Sequence, residues 1–146
     1  VRPPISSAQV HVHCHATEDE DKVLAALRTL LPGEVAVERS ELEGHHGNPI
    51  VVIGARVRDR SKLSEIWERI VRFGELTPPE VERRMDERCT LHLRFDKQAA
   101  FGGRLRLTDG GDSIHLRLRV KAFPPRRENA IRAVREAIES GGGDEG

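Results

Sequence analysis

Strict alternation of apolar and polar residues recurs towards both ends of the chain. From Ala8 to Ala16, Val10, Val12 and Cys14 interleave with His11, His13 and His15. From Arg88 to Arg127 the pattern runs longer. Cys89, Leu91, Leu93 and Phe95, then Leu105 and Leu107, then Ile114, Leu116, Leu118 and Val120 form one set. Thr90, His92, Arg94, then Arg104 and Arg106, then His115, Arg117, Arg119 and Lys121 form the other. A period of two marks strands with one face buried and one wet. Glu34 to Leu42 reads as a weaker strand. Ile50 to Val57 is the most β-prone run, expected as a central strand whose end exposes Arg56 and Arg58.

Other segments carry the helical period. Val23, Leu24, Leu27, Leu30 and Leu31 share a stripe over Asp19 to Leu31, which Thr17 and Glu20 would start as a capping box and Pro32-Gly33 would stop. Ser61 to Phe73 is amphipathic through Leu63, Ile66, Trp67, Ile70 and Val71. Thr77-Pro78-Pro79-Glu80 opens a short helix, with proline tolerated in the first turn. Arg126 to Ser140 closes the pattern with Ala130, Ile131, Val134 and Ile138 inward. The order implies one α+β domain over residues 8–140, with residues 1–7 and 141–146 as flexible termini. Its expected architecture is a two-layer sandwich: a mixed or antiparallel sheet, helices on one face, and an open basic face.

Charge sharpens that expectation. The formal net charge is zero, which argues against indiscriminate nucleic-acid adhesion by the whole molecule. The charge is nevertheless segregated: Glu18 to Glu43 is acid-rich, whereas the stretch from Arg88 to Arg127 is dominated by arginine and lysine. Opposed poles favour an oriented cationic surface over a charged tail. Arginine outnumbers lysine, and its planar fork suits phosphate. None of Phe73, Phe95 or Phe123 falls on the basic face by this register, and tyrosine is absent. Backbone and shape reading of a structured RNA therefore fits better than base stacking.

The candidate contacts are Arg94, Arg104, Arg106, His115, Arg117, Arg119 and Lys121. Near neutral pH the strand histidines would add partial positive charge to them. Asp96 would cap a single helical turn ending at Gly102-Gly103, presenting Lys97 and Gln98 beside free N–H groups to a phosphate or ribose hydroxyl. Cys14 and Cys89 are expected as buried free thiols. No apolar run is long enough to span a membrane and no signal peptide is seen, so the expected setting is cytoplasmic.

Catalytic signatures are missing: there is no phosphate loop before a helix, no nucleophile elbow and no supported Cys–His pairing. No cofactor is expected. His11, His13 and His15 on one strand raise the alternative of a metal-dependent hydrolase, but the chain is short for such a barrel and no metal is expected. A protein–protein adaptor, docking through the acidic first helix or the basic sheet, is the other alternative.

Two runs carry a family likeness. Gly44-His45-His46-Gly47-Asn48-Pro49-Ile50, and Leu93-Arg94-Phe95-Asp96-Lys97-Gln98-Ala99-Ala100-Phe101-Gly102 with the Leu-Arg-Leu after it, resemble an archaeal family known as RNA-binding proteins or predicted exosome subunits. The resemblance extends from about Ala8 to Ser140, and the Asp-Lys-Gln-Ala-Ala-aromatic run is its most specific part. It implies a fold similar to the large-subunit ribosomal protein that binds 5S rRNA. It also implies RNA binding as an accessory to RNA processing or decay, RNA and processing-complex proteins as partners, and no catalytic residues. His46, Gly47, Asn48, Lys97 and Gln98 are marked as motif positions.

Overall fold

The computed structural model describes residues 3–43 and 47–143. Its elements in order are β1 (Ile5–Cys14), α1 (Glu20–Leu30), β2 (Glu38–Glu43), β3 (Pro49–Val57), α2 (Arg60–Arg72), α3 (Pro78–Arg84), β4 (Thr90–Asp96), α4 (Lys97–Phe101), β5 (Ser113–Val120) and α5 (Arg127–Gly143). The strands form one sheet in the order β2-β3-β1-β5-β4. Every neighbouring pair is antiparallel. The sequence therefore places β3 inside the sheet, but the middle strand is β1.

Alternation sorts the side chains. Val10, Val12 and Cys14 of β1, Leu116 and Leu118 of β5, and Leu91, Leu93 and Phe95 of β4 are buried on one side. Leu27 and Leu30 of α1, Ile66 and Trp67 of α2, Val81 of α3, and Ala130 and Val134 of α5 are buried in the same core. Each large aliphatic side chain removed from water contributes roughly 1.5–3 kcal/mol, which is why all the helices crowd one side of the sheet. The other side is left bare, and the expected two-layer α+β arrangement is what forms. Cys14 and Cys89 are buried free thiols, as expected.

Several local readings are corrected. β1 starts at Ile5, earlier than the alternation suggests, because a register shift between Ile5 and Ser7 interrupts the period while Ile5 still reaches the core. The last helix likewise continues to Gly143. The N-cap of α1 is Asp19, which accepts a hydrogen bond from Asp21 N–H; Thr17 does not cap it. Glu18 is turned to the His15 N–H instead. The strand expected at 104–107 shrinks to one bridge between Phe95 and Leu107. Its backbone is claimed elsewhere: Arg104 N–H goes to Ala99 O, and Leu107 N–H to the Glu75 carboxylate.

Gly54 is the one position where β3 and β1 leave no room for a side chain. A Cβ there would lie 2.9 Å from Val10 O, a backbone atom held in the ladder. Gly54→Ala should therefore cost about 1–3 kcal/mol, read as a lower denaturant midpoint with an unchanged slope. An unaltered midpoint would show that the two strands are less tightly set than described.

Candidate nucleic-acid interface

The register assembles the bare face in rows. In one row Gly54 of β3, His11 of β1, His115 of β5 and Arg94 of β4 lie side by side. In the next, Arg56, Gln9, Arg117 and His92 do so. In a third, Ser7, Arg119 and Thr90 follow. Four arginines, from three strands distant in sequence, thus share one surface. No two of these arginines are cross-strand partners. Each faces His, Gln, Ser or Thr, which spares the sheet the cost of opposed like charges.

What sets these arginines apart is that they share one face of the sheet without partners, whereas several others are engaged. Arg39 is bound by Glu20 and Glu41, and Arg69 by Glu65. Arg83 and Arg84 share Glu80 and Asp109. Arg28 and Arg127 donate to backbone carbonyls. Among the described residues, Arg56, Arg94, Arg117 and Arg119 have neither a carboxylate nor a side-chain hydrogen bond. The ion pairs of Arg39, Arg69, Arg83 and Arg84 lie off this face, and Glu38 of β2, cross-strand from Gly54, sets a carboxylate at its β2 margin.

The histidines behave differently from the expectation that they add charge. His11 and His115 rings meet edge to face with centroids 5.0 Å apart, and His92 lies 5.9 Å from His115. Burial, with Arg94, His11, Arg117 and His92 adding to it, pushes His115 down to about 4. Burial, then His13, Arg117 and Arg94, lowers His11 as well. Both are neutral at pH 7 and act as polar spacers between guanidinium groups. His92 is a hydrogen-bond partner of Asp86 at 2.9 Å.

Lys97 is the main correction. Its side chain is 2 % exposed, with Nζ 2.8 Å from Glu18 Oε1 and 3.0 Å from Asp112 Oδ1. Burial raises the Glu18 carboxyl, but the Lys97 hydrogen bond and the His15 N–H outweigh it and hold the group below its ordinary range. Asp112 is likewise raised by burial and, on balance, held low by Lys97 and His15. The lysine ties the ends of β1, β4 and β5 together and is withdrawn from any ligand. The helix terminus it opens is occupied too, since Asp96 accepts from Ala99 N–H. Ala100 O accepts from Thr29 of α1, so the most specific run of the family likeness is a structural clamp. Gln98 stays exposed, but on α4 against α1 rather than among the arginine rows.

The remaining candidates scatter. Arg104 and Arg106 are exposed on the segment bridged to the free edge of β4, peripheral to the rows. Lys121 is exposed just past β5, with its N–H bound to Pro4 O. Asn48 is exposed before β3, roughly 20 Å along the strand from Gly54. His46 and His45 lie outside the described residues. Arg56 and Gln9 were missed as members of the patch: alternation exposes them, but strand order alone puts them beside Arg117. His11, His13 and His15 do not converge on one point. His15 leans to Asp112 at 3.4 Å, and the group it forms with Glu18 and Asp112 already has the Lys97 ammonium where a cation would sit.

An open-faced α+β protein with a cationic sheet is what fold and surface define. The chain belongs to the family whose model is described as RNA binding, matched over residues 7–120. RNA-binding protein PAB1135 of Pyrococcus abyssi is 38% identical over 143 residues, spanning 90% of this chain and 92% of that protein. Mth689, a DUF54 protein of Methanothermobacter thermautotrophicus, superposes with a TM-score of 0.84 at 39% identity, covering 92% of this chain and 98% of that one. Protein AF2318 of Archaeglobus fulgidus gives 0.80 at 36%, over 90% and 98%.

Two consequences can be measured. Lys97→Met leaves two carboxylates facing each other and should cost about 2–3 kcal/mol at pH 7, moderated by the exposure of Asp112. Carboxyls held low stabilise the fold above their unfolded values and lose that effect as pH falls through the folded ones, so the deficit should shrink below about pH 4. A midpoint equal to wild type at pH 7 would refute the clamp. Separately, as pH falls below 6.5 the unfolded chain takes up protons that His11 and, down to about 4, His115 refuse when folded. Melting temperature should fall across that window, and His115→Asn should flatten the decline; an identical slope would contradict it.

Proposed function

We propose that this protein is a non-catalytic RNA-binding domain that holds structured RNA by its phosphates against the bare face of the sheet. The observation that carries the reading is that the arginines at 56, 94, 117 and 119, each without a carboxylate partner among the described residues, are gathered on one face of the sheet. Membership of the RNA-binding family, and the name of the Pyrococcus abyssi relative, support RNA as the polyanion. Guanidinium groups spaced along strands suit successive phosphate oxygens, and such contacts fix orientation without reading bases. With no Phe, Tyr or Trp in its rows, this face fits the outline of a paired, A-form segment. No helix among the described residues is long and apolar enough to cross a membrane. Buried free thiols are in keeping with a reducing, cytoplasmic setting. A role accessory to RNA processing or decay, with the exosome as its assembly, extends this reading and is supported by the family resemblance alone.

Titration of a structured RNA hairpin at rising salt tests the core of it. Four phosphate contacts should lower affinity roughly 10²-fold over a fourfold rise in salt, through counterion release. Arg117→Ala combined with Arg119→Ala should weaken binding about tenfold or more and reduce the salt slope by about 2. Arg39→Ala, on the helical side and already engaged by Glu20, should leave binding unchanged. Wild-type affinity in the double variant would remove this face from the interface.

A further inference from the structure

Phe123 is 94 % exposed, the most solvent-facing large apolar side chain among the described residues. It lies three residues past the end of β5 and borders a concavity of about 500 Å³ that also includes Ser6, Arg88, Arg119, Lys121 and Pro125. Every charged residue lining that hollow is positive, and none of the three is ion-paired among the described residues. Arg119 belongs both to this hollow and to the arginine rows, so the two surfaces are continuous.

The backbone on both sides of Phe123 is anchored. Pro124 and Pro125 fix φ immediately after it. Pro124 O accepts from Arg126 N–H at 2.8 Å and from the Asn129 side chain at 2.9 Å, tying the loop to the start of α5. Lys121 N–H bonds to Pro4 O on its other side. A single exposed apolar residue needs no explanation by itself. An aromatic ring on an anchored loop, ringed by cations with no acid in the hollow, has the composition of a nucleotide site: a flat apolar surface for a base and cations for its phosphates.

We infer that Phe123 is a stacking platform for an unpaired base, with Arg88, Arg119 and Lys121 holding the adjoining phosphates. The paired part of the same RNA lies on the sheet, so this inference rests on the function proposed above. The RNA recognised is then a helix with an unpaired nucleotide at its end or in a bulge. The sheet supplies sequence-independent grip, and the platform selects the junction.

The test compares two RNA hairpins, one blunt and one with a short single-stranded overhang carrying 2-aminopurine, whose fluorescence is quenched by stacking. Wild-type protein should bind the overhang RNA more tightly and quench its fluorophore. Phe123→Ala, at a site exposed enough to leave the circular dichroism spectrum unchanged, should lose roughly 5- to 150-fold in affinity for the overhang RNA. It should bind the blunt hairpin as wild type does, and Phe123→Trp should restore the overhang preference and the quenching. Wild-type behaviour of Phe123→Ala on both RNAs would overturn the platform and leave the sheet interface standing, directing Phe123 to a protein contact instead. Equal losses on both RNAs would also overturn it, since a stacking site discriminates between them. If the wild-type protein binds neither RNA, the sheet reading fails and the platform falls with it.

Discussion

The pairing of β1 with β5 is the constraint on which everything else rests. It joins a strand near the start of the chain to one near its end, Ala8 opposite Leu118 and His11 opposite His115. A slip of one residue on β5 would drive Arg117 and Arg119 into the core and turn Leu116 and Leu118 out to water. The aliphatic side of the pair is buried under the helices, so the register that satisfies the core also fixes which charges emerge. The cationic face is thus a geometric consequence of core packing.

Charge pairing then decides what that face can do. Carboxylates are concentrated near α1, α3 and the turns around Asp109 and Asp112, where they meet Arg39, Arg83, Arg84 and Lys97. The arginines of β3, β4 and β5 have His, Gln, Ser or Thr as partners across the sheet. Depressed histidines between them keep the face from repelling itself at neutral pH. Ion pairs gather on one side of the sheet, and four arginines on the other have no carboxylate partner among the described residues. Lys97 belongs to the first side although its sequence context suggested the second.

Much of this was legible in the residues. Alternation identified the core and wet faces of β1, β4 and β5 directly, because a half-buried strand leaves a period of two. Helical stripes such as Leu63-Ile66-Trp67-Ile70 placed α2 within a residue or two. The misreadings came where a side chain's fate depends on distant partners. Nothing local to Lys97 reveals Glu18, many residues earlier, as its counter-ion. Arg56 carried no mark of joining Arg117 until β3 was seen beside β1. The Leu105-Leu107 alternation was too short to compete with side-chain and turn hydrogen bonds for its backbone. Phe123 was discounted because it lies off the strand register, and its position beside the arginines depends on the turn after β5.

The most direct test of the central claim is amide chemical-shift mapping by NMR during titration with a structured RNA hairpin. The largest changes should fall on residues 92–94 of β4, 115–119 of β5 and 9–11 of β1, leaving α1, α2 and α5 quiet. Perturbations gathered on the helical layer, with the arginine rows unmoved, would contradict the account.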